Sequence, residues 1–163
     1  MKAKGRVWKF GDNIDTDLIT PGKYMDLPID ELKRHVLEAV NPEFAAKVKP
    51  GDVIVAGRNF GCGSSRETAP QAIKALGVGA IVAESFARIF FRNAINQGLL
   101  PIICDTDLIS DGDELYIDLT RGVVKNISKG GEVRIDPIPS FVLDILKDGG
   151  LVPYIRKHGD FEV

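Results

Sequence analysis

Strand-like and helix-like runs alternate through the middle of this chain, and that alternation limits its fold more than any other feature. DVIVAG (Asp52 to Gly57), GAIVAE (Gly79 to Glu84) and LLPIIC (Leu99 to Cys104) are short apolar runs bounded by glycine, aspartate or glutamate. Between them lie ETAPQAIKALG and FARIFFRNAIN, two helix-like stretches, the second stopped by Gly98. This is an α/β pattern with short parallel or mixed strands. KGRVWKF adds a strand near the N-terminus, and IDELKRHVLEAV reads as one amphipathic helix with Leu32, Val36, Leu37 and Val40 on a shared face. The tail follows another pattern, in which ELYIDLT and GVVKNIS alternate like a hairpin about Thr120, Arg121 and Gly122, followed by EVRID and a last helix, PSFVLDILKDGG. One domain over residues 1–163, with two sheet elements and flanking helices, is the expected architecture.

The loop between the first apolar run and its helix, GRNFGCGSSRE (Gly57 to Glu67), holds the densest chemistry. At a strand-to-helix switch, free N–H groups and the positive end of the helix dipole favour anions. Ser64 and Ser65 add hydroxyls, and Arg66 adds a forked, permanently charged guanidinium. The expected ligand is a small anion. A phosphate-binding P-loop is excluded by spacing, because Cys62 stands where the second glycine belongs and no lysine precedes Ser64. A dinucleotide fingerprint is matched weakly: Gly61 and Gly63 supply its first pair, Arg66 takes the third place, and Glu84 imitates the ribose-binding acid. The plainest alternative is a capping box from Ser64 to Glu67, which would put Pro70 unfavourably in the second helical turn.

Composition narrows the class. The 163 residues are 44% hydrophobic with a formal net charge of −2, enough for a sizeable core and without a basic surface for nucleic acid. There is no long apolar run for a membrane span and no signal-like N-terminus, so a cytoplasmic protein is expected. Two cysteines suit a reducing compartment and cannot supply the ligand set of an iron–sulfur cluster. Cys62 reads as a small loop residue and Cys104 as a buried hydrophobe. The two histidines, His35 and His158, lie far in sequence from the serines, and surface positions are expected for both. Asp15 and Asp17 read as turn formers, with no metal ligand set around them.

Three segments in order, KGRVWKFGDNIDTDLITPGKY, VAGRNFGCGSSRETAP and IVAESFARIFFRNAINQGLLPI, resemble the aconitase superfamily, in particular the separate small subunits of isopropylmalate isomerases and their homoaconitase relatives. The resemblance implies a swivelling β/β/α domain and a two-subunit hydro-lyase, with leucine biosynthesis as its setting. It further implies a large partner subunit, in a heterodimer or heterotetramer, carrying a [4Fe–4S] cluster; this chain would bind no metal or cofactor itself. By the same resemblance Ser64 aligns with the catalytic base. Ser65 and Arg66 align with positions binding a substrate carboxylate, and Asn59, Gly61 and Gly63 shape that loop. Tyr24, Met25, Asp26 and Leu27 fall in the segment that meets the variable end of the substrate. Homoaconitases place an arginine where Asp26 stands, so this resemblance implies an alkylmalate, with isopropylmalate ahead of methylmalate, citraconate or dimethylmalate. Arg88, Arg92, Asn93 and Asn96 are expected to be structural, satisfying buried loops or facing the partner chain. A nucleotide- or phosphate-binding module is the reading from a different class.

Overall fold

A computed structural model describes residues 1–159. Seven strands form one mixed sheet: β1 (Lys2–Lys9), β2 (Val53–Ala56), β3 (Ala80–Ala83), β4 (Leu100–Ile103), β5 (Glu114–Asp118), β6 (Val123–Asn126) and β7 (Glu132–Arg134), in spatial order β4-β3-β2-β1-β5-β6-β7. The helices are α1 (Thr16–Ile19), α2 (Ile29–Leu32), α3 (Phe44–Lys47), α4 (Thr68–Ala75), α5 (Arg88–Asn96), α6 (Ser140–Lys147) and α7 (Leu151–His158). Short 3₁₀ turns cover Gly22–Tyr24 and Lys33–His35.

The two expected sheet elements are joined by one strand. The last part of β1 runs parallel to β2, with Val7, Trp8 and Lys9 opposite Val53, Ile54 and Val55. Its first part, Lys2 to Arg6, runs antiparallel to β5. The apolar runs contain no polar alternation because both faces of the parallel half are covered. Every residue of β2 and β3 is fully buried. On one face, Trp8, Ile54, Ile81 and Ala83 pack against Phe44 and the inner sides of α4 and α5. On the other, Val7, Val53, Val55, Val82 and Ile102 meet Leu115 and Ile117 from β5 and Leu146 from α6. Phe44 packs edge-on against Trp8 and Phe10 with ring centroids 5.3 and 5.5 Å apart. The Trp8 indole donates to the buried Asp52 carboxylate at 2.9 Å.

Two helical expectations change. IDELKRHVLEAV is not one helix: α2 ends at Leu32, a 3₁₀ turn follows, and Val36 leaves the helical region with ψ 124°. Leu37 is left-handed at φ 58°, and its N–H donates to the Ile19 carbonyl at 3.1 Å. A tertiary hydrogen bond thus overrides helical periodicity, leaving Leu32, Val36 and Leu37 buried but Val40 exposed. The last helix is followed by another, because Gly149 and Gly150, both at positive φ, turn the chain into α7. No helix among the described residues is long and apolar enough to cross a membrane.

Candidate active site

The carboxyl ends of the parallel strands β1, β2 and β3 converge on one cleft, the usual place for a ligand in an open α/β sheet. Beyond β1 and β2 the chain continues the parallel ladder in loop form. Gly57 N–H donates to the Gly11 carbonyl, Asn13 N–H to Arg58, Gly61 N–H to Ile14, and Thr16 N–H to Cys62. The Thr16 hydroxyl then donates to the Ser64 carbonyl at 2.8 Å. Asp15 is the turn former expected, capping α1 by accepting from Leu18 N–H at 2.7 Å. These bonds hold the serine loop in place while Ser64 and Ser65 stay exposed.

Gly61 and Gly63 have φ 81° and 92°. At Gly61 there is a second demand, because a Cβ there would sit 2.1 Å from Phe90 Cγ. The glycine lets α5 press against the loop; it does not serve close approach of a pyrophosphate, and Glu84 is directed elsewhere. Glu84 pairs with Arg58 at 3.6 Å and lies with Asp105 and Asp107; a hydrogen bond with Asp107 raises its pKa, with burial adding to the rise. The dinucleotide reading, already without its third glycine, loses its acid as well.

The capping box is overturned as well. α4 begins at Thr68, with Glu67 in the N-cap position and no side-chain capping bond, so Ser64 lies outside the helix. This later start places Pro70 in the first turn, where its missing N–H has no helical partner to lose.

The cleft, about 430 Å³, is lined by Thr16, Gly61, Gly63, the Ser64–Ser65–Arg66 run, Ala87 to Phe90, Arg92 and Asn93. Among the described residues, no carboxylate lines it. Three guanidinium groups do, from Arg66, Arg88 and Arg92. The first turn of α5 adds its own positive end: Ala87, the N-cap residue, offers no side-chain cap, so the N–H groups of Arg88, Ile89 and Phe90 have no intrahelical acceptor. The positive lining suits an anion, and α5, arriving from β3, supplies a helix end to the cleft. Arg88 and Arg92 are exposed, and neither satisfies a buried loop among the described residues. The loop-satisfying role expected for these two arginines is not what the structure shows, while their exposure agrees with the partner-facing one; their signal in the sequence was spacing, since positions 88 and 92, four apart, share a helix face.

Arg66 is half-buried and already anchored. Its Nη1 donates to the Thr20 carbonyl at 2.9 Å and to Asp17 Oδ1 at 3.2 Å. Asp17 also accepts from Gly22 N–H at 2.9 Å; that bond first, then Arg66, holds its carboxyl below the ordinary aspartate range. Asp17 is thus more than a turn former: it aims Arg66 while leaving Nε and Nη2 for a ligand.

Other candidates stand apart from the cleft. Asn59, left-handed at φ 61°, donates from Nδ2 to the Asn13 side-chain oxygen at 3.1 Å, and its N–H meets Ser85 Oγ. It shapes the loop from outside and is not among the cleft residues. Tyr24, Met25, Asp26 and Leu27 do not line the cleft in this conformation. They form the turn leading into α2, with Met25 Sδ accepting from the Thr68 hydroxyl at 3.8 Å and Asp26 exposed. No histidine reaches Ser64: His35 bonds Glu38, and His158 bonds Asp148. Cys104 is buried, and burial first, then Asp105, pushes its thiol up to about 12.

Residues 11–107 match the family model of the aconitase C-terminal domain. The chain belongs to that family, the class that this sheet and serine loop define. Within it, the chain is 58% identical to 3-isopropylmalate dehydratase small subunit 2 of Archaeoglobus fulgidus, with 100% of each covered. The methanogen homoaconitase small subunit of Methanothermobacter thermautotrophicus is 57% identical over 94% of this chain and 91% of its own. A crystal structure of 3-isopropylmalate dehydratase from Methanocaldococcus jannaschii superposes with TM-score 0.93 at 49% identity, covering 98% of this chain and 96% of the other. These full-length likenesses group the chain with the small subunits of hydro-lyases, the 3-isopropylmalate dehydratase type foremost among them.

Proposed function

We propose that this chain is the small subunit of a two-subunit hydro-lyase that interconverts 2-isopropylmalate and 3-isopropylmalate by dehydration and rehydration. The observation that carries the reading is the half-built character of the site: an exposed serine and three arginines share a cleft that, among the described residues, has no carboxylate or histidine in its lining. Such a set binds a dianion and stabilises an oxyanion. Ser64 is the base that takes the carbon-bound proton. Its hydroxyl is too weak an acid for that role alone, and the surrounding guanidinium charge with the free N–H groups of α5 favours its deprotonated form. Arg66, held in aim by Asp17 and Thr20, binds one substrate carboxylate, with Ser65 beside it. Arg88 and the first turn of α5 suit the other.

The two cysteines do not fit a [4Fe–4S] cluster, since Cys104 is buried in the core and Cys62 stands alone in the loop. We assign the cluster to a large partner subunit, facing the open side of this cleft. A reducing, cytosolic setting suits both unpaired thiols.

The close homoaconitase relative makes a tricarboxylate the rival substrate. Asp26 weighs against it: placed in the turn after Tyr24, it would repel a third carboxylate where an arginine would pair with one. The test is reconstitution with a cluster-bearing large subunit, followed by alkene absorbance on a panel of alkylmalates and on homoaconitate. Isopropylmalate should be preferred, and Ser64→Ala should abolish turnover while leaving folding and assembly intact. Near-normal turnover by that variant would remove Ser64 from the role of base, and turnover by the small subunit alone would end the two-subunit reading.

A further inference from the structure

The rings of Tyr24 and His35 are stacked, with centroids 3.7 Å apart and planes 14° from parallel. His35 Nδ1 lies 2.9 Å from Glu38 Oε2. The Glu38 carboxyl is held below its ordinary range, by the His35 hydrogen bond foremost, against opposition from burial. Lys23 Nζ lies 5.0 Å from the Tyr24 ring centroid, so that ring also carries a cation contact. His35 is half-buried.

Its position gives it a purpose. Tyr24 ends the 3₁₀ turn Gly22–Tyr24 and immediately precedes Met25, Asp26 and Leu27. The turn is fixed at its start, where Gly22 N–H shares Asp17 Oδ1 with Arg66. Beyond Tyr24, Met25 N–H on the Gly22 carbonyl and Leu27 N–H on the Tyr24 carbonyl, at 3.2 and 3.0 Å, close the turn on itself, and the Thr68–Met25 contact at 3.8 Å is a weak hold on the rest of the fold. The stack on His35 is the side-chain attachment that ties this self-closed turn to the segment after α2 and so sets the direction in which the next three residues leave.

We infer that His35 is a positioning residue for substrate specificity, acting through Tyr24 to fix the turn that presents Met25, Asp26 and Leu27. The inference rests on the proposed function in one respect, that this turn faces the variable end of the substrate. His35→Ala removes ring and hydrogen bond together, whereas His35→Phe keeps the stack and loses the bond to Glu38.

Two readouts separate this inference from the reading beneath it. Trypsin cleavage after the exposed Lys23, in the intact small subunit, reports the hold on the turn without any activity. It should be about three- to tenfold faster in His35→Ala, the size of one lost aromatic contact, and close to wild type in His35→Phe. In the reconstituted enzyme, His35→Ala should raise KM for isopropylmalate and shift the kcat/KM ratio of isopropylmalate to homoaconitate by a similar factor with kcat little changed. His35→Phe should restore that ratio. If the alanine variant does not fold, Tyr24→Leu loosens the same stack and should reproduce both effects. Unchanged cleavage overturns the clamp, and faster cleavage with an unchanged ratio overturns its part in specificity. Absence of turnover on every substrate would fail the proposed function, while the cleavage result would still decide the clamp.

Discussion

A single methyl group separates the Gly61 loop from failure. With φ 81° and a Cβ that would meet Phe90 Cγ at 2.1 Å, Gly61→Ala combines backbone strain with overpacking and should cost roughly 2–4 kcal/mol. Gly11→Ala, with open space around its Cβ, is the control and should cost little. Thermal or urea denaturation compares the two. Asp17 offers a second test at this scale. Its pKa is lowered in the folded protein, so the Asp17–Arg66 tether is intact above the ordinary aspartate range and is lost as pH falls through the lower, folded value. Carboxyl NMR should find Asp17 titrating below an unperturbed aspartate, and Arg66→Gln should move it back partway, the Gly22 bond remaining. Gly61, Gly63, the two serines and Arg66 are legible in the sequence because loop chemistry sits in adjacent residues. Asp17 as the partner of Arg66 is not, since that contact spans 49 positions.

Helix α5 is readable from the sequence as a helix but not as a contributor to the site. Its strand-to-helix entry, Glu84 to Ala87, is pinned to the serine loop by Phe60 N–H on the Ser85 carbonyl and Ala87 N–H on the Phe60 carbonyl, at 3.1 and 3.0 Å. The pairing of β2 with β3 brings these segments together, and no local pattern announces it. If the open end of α5 binds substrate, Arg88→Gln and Arg92→Gln should each raise KM by about tenfold to a hundredfold while leaving stability within roughly 0.5 kcal/mol, as expected for exposed positions. Unchanged kinetics in both would return these arginines to the partner-facing role. The buried strands are readable because a strand covered on both faces is apolar throughout. The α2 region is not, because a fully buried Leu37 held left-handed by Ile19 mimics the helical period without obeying it.

Across the whole molecule, β1 makes the parallel and antiparallel halves one cooperative body. Trp8 lies on the helix-covered face of the parallel half, yet a cavity made at Val124 in β6 should lower the Trp8 fluorescence midpoint as much as the far-UV circular dichroism midpoint. Val124→Ala, costing about 1–3 kcal/mol, makes the measurement, and separated midpoints would mean that the halves melt independently.

The same strand sets an order on biosynthesis. β1 leaves the ribosome before every other strand, yet it is the middle strand of the finished sheet. Residues 2–9 must wait for one partner until residues 53–55 emerge, and for the other until residues 114–118. During the second interval β1 to β4 can pair among themselves, but the nascent sheet keeps its β1 edge open until β5 covers it. A nascent chain stalled near residue 110 should therefore be more protease-sensitive and more dependent on chaperones than one released after residue 126. Slow translation between those points would lengthen the vulnerable period without changing one contact of the native state.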